Sequence, residues 1–138
     1  IYQNIRFYKI ITYPQLRLIH SGVDADIPSY ENKNQFFSNI GPSIPLEIRF
    51  KKQTEPKYNY QVSDSSEFEN LVHPFNSGYL AMAKKGDKNS SSTEFFFVTN
   101  KIPELDGRYS VFGKIIKGLK VLNKIEKNDI IYVIKSLN

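Results

Sequence analysis

The 138-residue chain has no cysteine, no tryptophan, one methionine and two histidines. Without cysteine there is no disulfide framework, no thiolate nucleophile and no cysteine-ligated zinc. The same absence fits a reducing compartment and favours cytoplasm or mitochondrion as the location. His20 and His73 show no metal-ligand spacing with carboxylates, so no metal site is expected, and both read as structural or solvent-exposed. No run of about 18 apolar residues occurs, which excludes a membrane-spanning helix. No signal or transit segment is visible. The first residue is Ile rather than Met, so the chain is expected to continue upstream. The stretch from Gly86 to Thr93 lacks the order of a phosphate-binding loop, and Asn89-Ser90-Ser91 matters as a glycosylation sequon only in a secreted protein.

What is present suits one folded domain spanning 1–138. Hydrophobic residues make up 40%, which argues against disorder, and nine Tyr and ten Phe supply large side chains for a core. The net charge is +5, read first as a Lys-rich solvated surface. Its sharper reading is an acidic partner such as RNA, with Lys51-Lys52 and Lys84-Lys85 near Tyr58 and Tyr60. No RNA-binding sequence motif accompanies them.

Hydrophobic patterning predicts strands over Ile1–Ile11, Leu16–His20, Pro45–Phe50, Glu94–Thr99, Tyr109–Ile116 and Ile130–Ile134, and Gly78–Ala83 reads as a short apolar run. A further strand is predicted at Tyr58–Val62, and residues 25–45 read as loop. Leu119, Leu122 and Ile125 predict a short amphipathic helix. Many strands with one or two short helices indicate a mostly β domain, a barrel or a sandwich.

Three motifs carry more. They are Gly78-Tyr79-Leu80-Ala81-Met82-Ala83-Lys84-Lys85-Gly86, Thr93-Glu94-Phe95-Phe96-Phe97-Val98-Thr99, and Leu105-Asp106-Gly107-Arg108-Tyr109-Ser110-Val111-Phe112-Gly113-Lys114. Their order and spacing resemble the second half of a cyclophilin, the family of peptidyl-prolyl cis/trans isomerases. Upstream, Phe7-Tyr8-Lys9-Ile10-Ile11 and Leu18-Ile19-His20-Ser21-Gly22-Val23-Asp24 resemble the family's two preceding motifs. A few extra residues, around Tyr13 to Arg17, separate those two. Residues 25–77 match poorly and read as a divergent insertion. The resemblance implies an antiparallel β-barrel whose first strands are not in this sequence. A barrel closed by hydrogen bonds cannot lose strands and stay closed. Upstream sequence, another chain, or a remodelled barrel are the three ways out.

Rotation about an X–Pro bond crosses a barrier of about 18–20 kcal/mol. An isomerase lowers it by holding proline in an apolar pocket and stabilising the twisted amide. In the family an Arg donates to that amide, a Gln orients the substrate and no metal or cofactor takes part, so the resemblance implies none here. By the resemblance, Lys9 stands at the Arg position, the candidate catalytic residue, and Ser21 at the Gln position. Lysine keeps the charge but loses the planar fork of donors. The implied substrate-binding residues are Leu18, Ile19, Ser21, Ala83, Lys84, Phe96, Leu105 and Tyr109, with Phe96 and Leu105 as floor and wall of the proline pocket. Glu104 stands where the family has the Trp used by cyclosporin-type ligands.

The expectation is a cyclophilin-like β-barrel, incomplete or remodelled at its N-terminal side. It is read as a protein-binding or structural module with weak or absent isomerase activity, a subunit of a larger assembly. Its partner would be a proline-containing protein segment or neighbouring subunits. The alternatives are an active isomerase using Lys9 and a subunit contacting RNA or ribonucleoprotein.

Overall fold

The computed structural model describes residues 3–23, 43–84, 86–89, 91 and 93–135. Its strands are β1 (Gln3–Tyr13), β2 (Leu16–Ser21), β3 (Glu47–Ile48), β4 (Lys57–Tyr58), β5 (Tyr79–Met82), β6 (Phe95–Val98), β7 (Val111–Lys114) and β8 (Ile130–Val133). Among the described residues, helical structure is confined to α1 (Ser65–Phe68) and two 3-10 turns, Pro103–Leu105 and Leu119–Lys124. Six strands form one antiparallel sheet in the order β7-β5-β6-β2-β1-β8, and β3 pairs with β4 alone. The result is the expected mostly β architecture as a half-barrel, with β7 and β8 as its two edges. The predicted loop over 25–45 lies outside the described residues up to position 42.

One local expectation is refined and another corrected. The short helix expected from Leu119 forms as a 3-10 helix. Apolar residues every third position match three residues per turn, the 3-10 period. The strand predicted over Tyr58–Val62 stops at Tyr58, because Asn59 adopts a left-handed conformation (φ 57°) that breaks the extension.

Register assigns each side chain to one of two faces. Phe7 pairs with Ser21, but Lys9 pairs with His20, so β1 carries a bulge at Tyr8. Side chains directly opposite across an antiparallel pair share a face. One lateral row therefore runs Lys9, His20, Phe96, Ala81, Val111 across five strands. The opposite face carries Ile10, Ile19, Phe97 and Leu80 in one row and Phe7, Ser21, Phe95 and Met82 in the next.

The first face buries Phe75, Ala81, Ala83, Phe96, Val98 and Ile102 in one cluster. On the second, Phe7, Ile19 and Leu122 form another. That face also opens into an apolar trough of about 500 Å³, lined by Phe7, Leu80, Phe95, Phe97, Phe112 and Ile131 among others.

Arg17 ties the start of β2 to the 3-10 helix. Its Nη1 donates to the carbonyls of Leu122 (3.2 Å) and Asn123 (2.6 Å), and Nη2 to that of Ile125 (2.6 Å). These are carbonyls a helix end leaves without intrahelical partners, and the clamp holds Leu122 against Ile19.

Residues 43–77 build a satellite core of Leu46, Ile48, Phe50, Val62 and Leu71, with Tyr60 and Phe68 against it. Leu46, Ile48 and Phe50 are buried and Glu47 and Arg49 exposed, the alternation the sequence predicted. Two hydrogen bonds from main-chain N–H groups join this unit to the Leu105-Asp106-Gly107 turn. Val62 N donates to Gly107 O (3.1 Å), and Phe75 N to the Asp106 carboxylate (2.5 Å). Gly107 has φ +65°, and a Cβ there would collide with the Val62 side chain. Glycine is the residue this approach admits.

Candidate functional site

The lateral row places a cation, an imidazole and an aromatic ring side by side on adjacent strands. Phe96 sits at its centre. His20 stacks on it at 5.3 Å between ring centroids, 25° from parallel. Phe75 stacks at 6.0 Å and 6°, and Tyr109 meets it edge-on at 5.3 Å. Lys84 Nζ lies 4.8 Å from the centre of the Tyr109 ring, a cation–π contact. Burial, with Arg108 adding repulsion, moves the Lys84 ammonium below its ordinary pKa. The cluster leaves Phe96 only 2% exposed.

The structure thus brings together Leu18, Ala83, Phe96, Leu105 and Tyr109 in or against one cluster, with Lys84 over Tyr109. Lys9 is exposed on the same face, with His20 between it and Phe96. It does not bring Ile19 and Ser21 there. Strand side chains alternate, so the residues flanking His20 point to the trough side. Ile19 packs with Phe7 and Leu122. Ser21 is fully buried, and its hydroxyl donates to the Arg6 carbonyl at 3.0 Å.

Two residues of this face escape a reading of the sequence. Phe75 lies in the divergent stretch, and only its anchor to Asp106 sets it on Phe96. His20 reads as structural or exposed, yet it stands in the row between Lys9 and Phe96. Its Nε2 is shut off from solvent and has no hydrogen-bond partner among the described residues. Burial first, and Lys9 second, lower its pKa from 6.5 to about 4, so the imidazole is neutral at pH 7. The signal that finds it is strand parity: once Phe96 faces the site, the residue paired with it must too.

Among the described residues no group of His, Asp and Glu is placed to hold a metal ion, and no helix is long and apolar enough to cross a membrane.

An open antiparallel half-barrel with an aromatic cluster on one face defines the class of fold. The crystal structure of a cyclophilin from Hirschia baltica superposes with a TM-score of 0.51 at 16% identity, over 93% of this chain and 56% of that one. A family model for cyclophilin type peptidyl-prolyl cis-trans isomerases matches residues 1–135. The chain belongs to the cyclophilin family.

Among curated relatives, a peptidyl-prolyl cis-trans isomerase of Arabidopsis thaliana is 33% identical over 87 residues, 63% of this chain and 35% of its own length. One from Saccharomyces cerevisiae is 29% identical over 104 residues, 73% of this chain and 26% of its own. A peptidyl-prolyl cis-trans isomerase-like 2 from Gibberella zeae is 47% identical over 49 residues, 36% of this chain and 8% of its own. The chain therefore spans only a minor part of these relatives.

Proposed function

We propose that this domain binds proline-containing protein segments on the Phe96 face and isomerises them weakly or not at all. The observation behind this reading is the cover over Phe96, which is 2% exposed beneath His20, Phe75 and Tyr109. A proline ring gains access only by displacing part of that stack, and each displaced aromatic contact offsets binding energy needed for the twisted amide. The polar side of the face is sparse as well. Lys9 contributes one point charge, where bidentate recognition needs a guanidinium. Ser21, engaged with Arg6 O on the other face, contributes nothing to it.

A second reading is an active isomerase using Lys9. The bulge at Tyr8 favours it, because it turns Lys9 onto the face of Phe96. Bulges next to functional sites commonly re-aim one side chain in this way. The deciding assay is isomerisation of a short Ala-Pro peptide by the purified chain. The protein-binding reading expects little rate enhancement and none that depends on Lys9. Strong enhancement abolished by Lys9→Ala overturns it in favour of the second reading.

A further inference from the structure

Among the described residues, the buried side-chain polar atom left without a hydrogen-bond partner is His20 Nε2, in the ring stacked on Phe96. Buried polar atoms in folded proteins almost always have a hydrogen-bond partner, and an exception calls for an explanation. This one has none, although the ring is held firmly: it stacks on Phe96 at 5.3 Å and faces Tyr8 at 6.2 Å. The titratable groups beside it are Tyr8 and Lys9, both from β1. Lys9 carries only donors, so it cannot accept from an Nε2–H, and its charge opposes protonation of the ring.

A proline-containing segment supplies a fitting partner. Proline has no N–H, so the main chain around an X–Pro bond is rich in carbonyl acceptors relative to donors. A neutral imidazole protonated on Nε2 is a single directional donor. Resting on the protein-binding reading, we propose that His20 is the polar anchor of the face, its Nε2–H donating to a main-chain carbonyl of the bound X–Pro segment. Nε2 is covered in the free chain, so the segment must displace part of the stack first. The orphaned bond makes the closed stack less favourable than it would otherwise be, and the arriving carbonyl completes it. Lys9, exposed beside the ring, is then left to face solvent or a second carbonyl. His20 is a binding and specificity residue here, acting through hydrogen bonding without proton transfer.

The test is an NMR titration of the ¹⁵N-labelled 138-residue chain with a blocked Ala-Pro peptide, comparing the natural protein with His20→Phe and His20→Gln. Phenylalanine keeps the stack and removes the donor, whereas glutamine restores an N–H. The expected result is binding about tenfold weaker for His20→Phe, the size of one neutral hydrogen bond, with recovery in His20→Gln. His20→Phe is also expected to melt no lower than the natural protein, since it loses an unpaired buried atom. Shifts on the Phe96 face with equal affinity in His20→Phe overturn the His20 assignment alone. A His20→Phe protein that melts well below the natural one at equal affinity does the same, because the imidazole is then structural. Should that variant not fold, equal affinity in His20→Leu overturns the assignment in its place. The absence of any shift in the natural protein at millimolar peptide overturns the protein-binding reading itself.

Discussion

Replacing Arg17 with Met tests the link between the sheet and the 3-10 helix. Methionine keeps most of the apolar stem and removes the guanidinium. Three carbonyls then lose their donor: Leu122, Asn123 and Ile125. Hydrogen bonds to charged groups contribute about 1.5–3 kcal/mol each, but these three share one side chain and do not add. The Asn123 bond is exposed, so water replaces it at little cost, while those to Leu122 and Ile125 are partly buried. The net expectation is a loss of about 2–3 kcal/mol, or about 6–10 °C in melting temperature for a domain of this size. Urea unfolding followed by circular dichroism should show a lower midpoint with an unchanged slope, the mark of altered stability with the same exposed surface. Lysine at the same place should recover less than half, because its ammonium cannot span three carbonyls in a fork. Amide exchange should rise first at Val121, whose N–H donates to Gly118 O within the clamped turn. A loss below about 0.5 kcal/mol in Arg17→Met, in the range of ordinary surface substitutions, or full recovery by lysine, would refute the clamp.

Other outcomes follow from single contacts. Gly107→Ala meets both a positive φ and the Val62 side chain, so it should lower the melting temperature by several degrees; a neutral result contradicts the close approach. His20 has its folded pKa lowered from 6.5 to about 4, so the unfolded chain binds the proton first as pH falls. Its contribution is therefore complete above about pH 6.5 and is lost progressively down to about pH 4. Partial exposure and screening reduce the effect to about 1–2 kcal/mol. The melting-temperature gap between His20→Phe and the natural protein should widen from pH 7 to pH 4.5; a constant gap refutes the shift. Cyclosporin-type ligands should bind weakly, because Glu104 stands where the family has Trp, and sub-micromolar affinity by fluorescence polarisation would contradict this.

The fold is legible where motif and periodicity coincide. Phe96, Leu105 and Tyr109 fall in dense motifs whose spacing survives intact, and they pack around one cluster. Leu46, Ile48 and Phe50 announce a buried face by alternation alone. What stays hidden depends on properties that no single segment carries. Ile19 and Ser21 sit in a motif but on the other face, because the face depends on pairing with β6. His20, between them, faces Phe96 for the same reason. Phe75 has no motif, and its place depends on a carboxylate 31 positions later in the chain. The 3-10 turn from Leu119 is hidden differently: a three-residue repeat also fits one face of a short α-helix, and only the hydrogen bonding separates the two.

The bulge at Tyr8 acts as a phase shift along β1. In an unbroken strand Phe7 and Lys9, two residues apart, would project from the same face. The extra residue inverts the parity of everything beyond it, so Phe7 serves one face and Lys9 the other. Were β1 regular, Tyr8 would stand opposite His20 and Lys9 opposite Ile19, on the trough side, an apolar place for an ammonium group. Ile10 and Ile11 would change faces with it. Setting one residue out of register thus decides whether this sheet presents a cation beside its aromatic face.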